Sequence, residues 1–173
     1  MPRLAMRATA QMISYEIPMG LCILVVITTL GTLRLEDIIL GQLATTVGGI
    51  PKWNVFLHPV VCLIFYITML AEANRTPFDL AEAEQELVGG YHTEYGALKF
   101  GMFFLAEYAH MLTGSALMAV LFFGGWHLWG VTGGNATEVT WFQGIARIVV
   151  LMAKVMGVIL FFMLVRWSWP RFR

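Results

Sequence analysis

Residues 69–95 read MLAEANRTPFDLAEAEQELVGGYHTEY, an acidic connector between two long apolar segments. Glu72, Asp79, Glu82, Glu84, Glu86 and Glu94 all fall within it, six of the chain's eleven acids. A solvated loop does not need that density, and membrane flanks more often carry bases. The local pattern predicts a short helix. Thr76 serves as N-cap, Pro77 as the first helical residue and Asp79 as an acid near the positive end of the dipole. Gly89 and Gly90 supply the stop. On that helix Asp79, Glu82 and Glu86 share one face, while Glu84 points elsewhere. Like charges so close repel, which calls for basic partners nearby or for protonated carboxyls.

The composition around this connector is that of a membrane protein. Of 173 residues, 58% are hydrophobic and only 13% charged, and the mean hydropathy is +0.73. A soluble domain of this size is far more polar. The formal net charge is zero, which argues against a nucleic-acid partner. Cys22 and Cys62 lie in separate apolar segments without metal-type spacing, so buried, inert thiols are expected. Arg3 and Arg7 ahead of an apolar run resemble a signal peptide. Glu16 and Pro18 interrupt that run, and a retained membrane helix is the better reading.

A spanning helix needs about 20 mostly apolar residues. Four segments qualify, at about 11–30, 55–73, 98–124 and 142–167, with the acidic loop at 74–97 between the second and third. The expected fold is all-α and integral to the membrane, a single domain over 1–173. Arg3, Arg7, Arg75, Lys99, Arg166, Arg171 and Arg173 fall on one side if the helices alternate, against Arg34 and Lys52 on the other. The positive-inside rule then places both termini and the acidic loop on the cytoplasmic or matrix side. Trp53, Trp126, Trp129, Trp141, Trp167 and Trp169 cluster near helix ends as an interfacial belt does. The Gly-rich loop from Trp126 to Trp141 reads as connective, and its Asn135-Ala-Thr137 triplet as chance.

Glu16, Glu107, His110 and Lys154 lie within spans, and Glu72 and Arg147 near their edges. Glu107 sits on the order of 13 Å into the third span and Lys154 on the order of 18 Å into the fourth. Such a residue at a helix centre costs about 2.5–3.5 kcal/mol even on lenient insertion scales. The bland alternative is an ion pair that only fixes helix packing. With acids on three helices, Glu16, Glu72 and Glu107 are better read as a polar line through the domain. Arg147 and Lys154, seven apart on one helix face, are then expected to supply counter-charge. Burial raises a carboxyl pKa and lowers that of a lysine, which brings both toward proton exchange.

Glu107-Tyr108-Ala109-His110 has the Glu-x-x-His spacing of a di-iron helix, but such a site needs two of these motifs and two further glutamates. No metal is expected. No phosphate-binding loop, zinc-protease motif, dinucleotide fingerprint or nucleophile triad is present. His58 and His127 read as interfacial or helix-end residues, whereas His92 lies beside Tyr91 and Glu94 at the end of the acidic stretch. Phe100, Phe103 and Phe104 read as packing surface, with the wall of a cavity for a flat hydrophobic ligand as the sharper alternative.

The run EANRTPFDLAEAEQELVGGYHTEY, followed by KFGMFFLAEY, resembles the H-subunit (subunit 1) family of respiratory complex I. RATAQMISYE near the start and RWSWPRFR at the end resemble the same family at the matching relative positions. The resemblance implies a membrane subunit of a proton-translocating NADH:quinone oxidoreductase, placed where the peripheral redox arm meets the pumping arm. It implies a ubiquinone-type quinone as substrate, no covalently bound cofactor, and no metal or iron–sulfur cluster in this chain. By position, Glu16, Glu72 and Glu107 match intramembrane glutamates of a proton route. Asp79, Glu82, Glu84, Glu86 and Glu94 match its loop acids, and Lys154 an intramembrane lysine. Arg75, Phe103, Phe104, Arg171 and Arg173 resemble positions at or near the quinone chamber.

The implied partners are the quinone-site and iron–sulfur subunits of the peripheral arm, small membrane subunits leading to the antiporter-like arm, and lipid. The implied location is the mitochondrial inner or bacterial cytoplasmic membrane. Family members are much longer, with further helices before and after the matched region. A second chain supplying those helices is therefore expected, with this chain the product of a split gene or a partial sequence. The related membrane subunit of a membrane-bound hydrogenase, and a structural anchor for the peripheral arm without a proton role, are the alternative readings.

Overall fold

The computed structural model describes residues 2–43, 52–73, 97–128 and 140–169, without the side chains of residues 2–9, 11, 12, 97, 99, 100 and 103. Among them the chain forms helices only: α1 (Pro2–Leu30), α2 (Leu35–Gly41), α3 (Asn54–Leu57), α4 (Pro59–Glu72), α5 (Ala97–Phe122) and α6 (Trp141–Ser168).

Helix α1 begins well before the expected residue 11 and runs through both Glu16 and Pro18. Proline has no N–H, so the Ser14 carbonyl loses its helical donor there, a loss membrane helices tolerate when neighbours satisfy the group. Gly31, at φ 71°, ends the helix, and its N–H donates to the Ile27 carbonyl at 2.8 Å. The connector beyond is not plain loop, because Leu35–Gly41 forms α2. Glu36 and Asp37 stand in its first turn against the positive dipole end, and Ile38 and Ile39 are buried.

The expected second span, 55–73, is divided. Proline disfavours helical backbone in the residue before it, and His58 sits at φ −132°, ψ 63°, between α3 and α4. The 14 residues of α4 reach about 21 Å, short of a hydrocarbon core of about 30 Å. Among the described residues three helices are long and apolar enough to cross a membrane, at Ile13–Leu30, Phe104–Phe122 and Trp141–Ser168, and α4, within the second of the four segments expected to span, is shorter. Thr140 opens α6 with a capping box, in which the Thr140 N–H donates to Gln143 Oε1 at 3.3 Å.

Short as it is, α4 lies at the centre of the bundle. It packs against α1 and α5, and α5 packs in turn against α6 and α2. Cys62, Phe65, Tyr66, Met69 and Leu70 of α4 join Cys22 and Val26 of α1, Met118 and Phe122 of α5, and Val155 and Phe162 of α6 in one core. Phe65 lies 5.4 Å from Phe122 between ring centroids, and Tyr66 stacks on Phe162 at 4.9 Å. Both cysteines are free and buried. The polar side chains in this core turn back on their own helices: Thr68 Oγ1 donates to the Phe65 carbonyl and Ser115 Oγ to the Met111 carbonyl. Outside the core, Ile17, Leu21, Leu24, Leu105, Leu112, Ile148, Met152 and Leu164 are exposed, an apolar exterior suited to lipid or to other membrane helices.

The outer end of α5 turns on two glycines with left-handed backbone, Gly124 (φ 69°) and Gly125 (φ 51°). A Cβ on Gly124 would stand 2.6 Å from Trp53 Nε1, and one on Gly125 2.6 Å from Ile39 Cδ1. Gly124→Ala is therefore expected to destabilise the fold by about 1–3 kcal/mol. Gly157→Ala is expected to be neutral or stabilising, since its Cβ meets nothing within 4 Å and alanine is the better helix former. Thermal unfolding of the two variants in detergent, followed by loss of helical circular dichroism, measures the difference.

Candidate functional site

Two sets of polar side chains lie toward opposite ends of α5. The outer set collects the carbonyls at its C-terminus. The last four carbonyls of a helix have no donor within it and carry the negative end of its dipole. Gln42 and Asn54, both fully buried, supply donors. Gln42 Nε2 donates to the carbonyls of Ile38 (3.3 Å), Val120 (3.1 Å) and Leu121 (3.3 Å). Asn54 Nδ2 donates to the Leu121 carbonyl at 2.7 Å, and the Asn54 N–H to Gln42 Oε1 at 3.3 Å.

Lys154 of α6 continues the series. Its ammonium donates to the carbonyls of Phe123 (2.6 Å), Gly125 (2.9 Å) and His127, and lies 4.6 Å from the centre of the Trp53 ring. This is not the counter-charge to carboxylates that the sequence suggests. The acceptors are backbone oxygens of the turn after α5, and among the described residues no acid pairs with Lys154. Arg147, earlier on the same helix, lies over the Trp126 ring at 4.1 Å. The stretch around Trp126 is thus more than connective. His127 is buried beside these cations. Burial first, then the charges of Lys154 and Arg147, hold its pKa below the usual histidine value.

Between α4, α5 and α6 lies a mostly apolar cavity of about 470 Å³, bordered by Tyr66, Met118, Lys154 and Phe161. The Tyr66 hydroxyl is buried there without a hydrogen-bond partner among the described residues. Phe104, one of the residues expected at a quinone chamber, does not border it; Phe104 lies 6.2 Å from the Tyr108 ring on α5.

The inner set is acidic. Glu72 closes α4, and its Oε1 lies 3.6 Å from Nε2 of His110 on α5. Glu107 stands three residues before His110, on the same face of α5, and is half-buried. Arg166, in the last turn of α6, borders a small cavity with Tyr108 and Met111. Of the three expected intramembrane glutamates, Glu72 meets α5 at His110, and Glu107 lies one helical turn from that contact. The third does not join them: Glu16 is exposed on α1, with Ile13 and Ile17, and has no partner among the described residues. Among the described residues no three His, Cys, Asp or Glu side chains converge as metal ligands would. Arg75, Asp79, Glu82, Glu84, Glu86, Glu94, Arg171, Arg173 and the Phe103 side chain lie outside the described residues.

The His110 contact with Glu72 was open to sequence reasoning only as two ionisable residues within separate spans. The roles of Gln42, Asn54 and the Phe123–His127 carbonyls left no side-chain signal beyond the Gly124-Gly125 pair.

An all-helical bundle with three helices fit to cross a bilayer, and ionisable groups held between them, defines a membrane protein with charged interior positions. The family model described as NADH dehydrogenase matches residues 4–173. The chain belongs to that family. It is 46% identical over 175 residues to the H-subunit of NADH-quinone oxidoreductase from Flavobacterium psychrophilum, covering 98% of this chain and 48% of that protein. It is 47% identical over 168 residues to the H-subunit from Protochlamydia amoebophila (97% of this chain, 45% of that protein). Subunit 8 of the Rhodothermus marinus enzyme is 45% identical over 172 residues (97% and 50%). The chain thus spans about half the length of the curated relatives it matches.

The lowered pKa of His127 makes stability depend on pH. In the folded chain the ring stays neutral where the unfolded chain would bind a proton, so stability is full above the unfolded value of about 6.5. It falls as pH drops below that value toward the folded pKa. His127→Gln is expected to flatten this acid limb, and melting temperatures of native and variant protein from about pH 7.5 down to about pH 5.5 measure it.

Proposed function

We propose that this chain is a membrane subunit of a proton-pumping NADH:quinone oxidoreductase, contributing to the quinone chamber and to the carboxylate route that couples quinone reduction to proton translocation. The observation that carries the reading is the contact of Glu72 on α4 with His110 on α5, one turn beyond Glu107, with the acidic stretch 74–96 joining the two helices, in a chain whose relatives bear that enzyme's name. Those names favour the respiratory enzyme over a membrane-bound hydrogenase.

In this reading quinone is reduced in a chamber to which Arg75, Phe103, Phe104, Arg171 and Arg173 contribute, with electrons from iron–sulfur subunits of the peripheral arm. The charge change is felt by Asp79, Glu82, Glu84, Glu86 and Glu94, then by Glu72 and Glu107. At low effective dielectric one unit of charge several ångströms away shifts a carboxyl pKa by units, enough to load or release a proton. Glu16, on the exposed face of α1, continues the route toward neighbouring membrane subunits. Lys154 stands apart from this route, as the clamp on the outer end of α5. The membrane is one that stores respiratory protons, bacterial cytoplasmic or mitochondrial inner.

In the complete enzyme reconstituted into vesicles, Glu107→Gln is expected to slow proton pumping by about a hundredfold, the lower range for loss of a positioned proton-transfer group. NADH oxidation by an artificial acceptor serves as the assembly control. Pumping at the native rate in assembled Glu107→Gln enzyme contradicts the proton route and leaves the structural-anchor reading.

A further inference from the structure

We infer that His110 is the proton-carrying link between Glu72 and Glu107, an addition that rests on the proton-route reading above. His110 Nε2 and Glu72 Oε1 are 3.6 Å apart on different helices, within reach of direct transfer after a small closure or of a single bridging water. Neither group is sealed within this chain: the His110 side chain is 48% exposed and that of Glu72 26%, which leaves both open to a further proton-exchanging group.

The surroundings favour a mobile proton. Glu72 is the last residue of α4, so its carboxyl reaches α5 from the end of a helix. Glu107 stands one turn away on the face that bears His110. With Nε2 toward Glu72, the imidazole keeps Nδ1 for a second partner. A histidine takes and gives up a proton readily in the physiological range.

The transfer balances in two steps. First the O–H of protonated Glu72 breaks and an N–H forms at His110 Nε2, which gives a carboxylate and an imidazolium with no change in the pair's net charge. Then the Nδ1–H breaks and its proton joins the Glu107 carboxylate, directly or through one water, leaving a neutral imidazole protonated at Nε2. Exchange with water at the half-exposed ring restores the first tautomer.

The test uses the complete enzyme in vesicles, with His110→Gln, Glu107→Gln and the exchanged pair Glu72→His with His110→Glu. His110→Gln is expected to slow pumping by about tenfold, less than loss of a glutamate because water can bridge the gap. It is also expected to raise the solvent deuterium isotope effect on coupled turnover, which a packing role would leave unmoved. The exchanged pair, which keeps two proton-binding groups in contact, is expected to recover most of the rate. Native pumping in His110→Gln with pumping lost in Glu107→Gln overturns the role of His110 and leaves the carboxylate route standing. Native pumping in both overturns the two together. If His110→Gln does not assemble, an exchanged pair that assembles without pumping overturns the inference, and one that pumps supports it.

Discussion

A lysine ammonium is held in the middle of a membrane-spanning helix by three backbone carbonyls in the turn that ends another helix. That constraint organises the outer half of the molecule. Helix α5 ends on a pair of left-handed glycines, and its carbonyls, facing protein rather than water, must find partners. Lys154, Gln42 and Asn54 come from three different parts of the chain to provide them. In binding them they fix α2, α3 and α6 around α5. An unpaired ammonium at this depth would be expensive, and so would unpaired carbonyls; together each removes the other's cost.

The charged interior is thereby divided. The outer charges of Lys154 and Arg147 are held by backbone carbonyls and aromatic faces, an arrangement that restricts their movement. The inner ones, Glu72, Glu107 and His110, lie partly exposed where the end of α4 meets the middle of α5. The shortness of α4 contributes to this: ending after 14 residues, it brings Glu72 against the side of α5 rather than leaving it at a membrane surface.

The long apolar runs of α1, α5 and α6 were legible in the sequence, since about 20 apolar residues in a row have few other readings. The break before α4 is hidden in the sequence because composition continues smoothly across 55–73, while the backbone is interrupted by one residue type at one position, Pro59. Helix α2 escaped notice because seven residues of mixed polarity carry little periodicity. Among the site residues, Glu72 and Glu107 were legible as charges in an apolar context. Lys154 was legible as an unusual charge within a span, but its partners were not. Its partners are main-chain oxygens 27 to 31 residues away, and any residue type carries a carbonyl, so no side-chain pattern announces them.

The division between a structural outer clamp and a protonic inner cluster is tested most directly at Lys154 itself. In the assembled, reconstituted enzyme, Lys154→Met should lower the thermal midpoint, as carbonyls left without donors cost about 1–3 kcal/mol each. The ratio of protons pumped to electrons transferred should stay at its native value. A native midpoint with a reduced ratio would contradict the account and return Lys154 to the proton route.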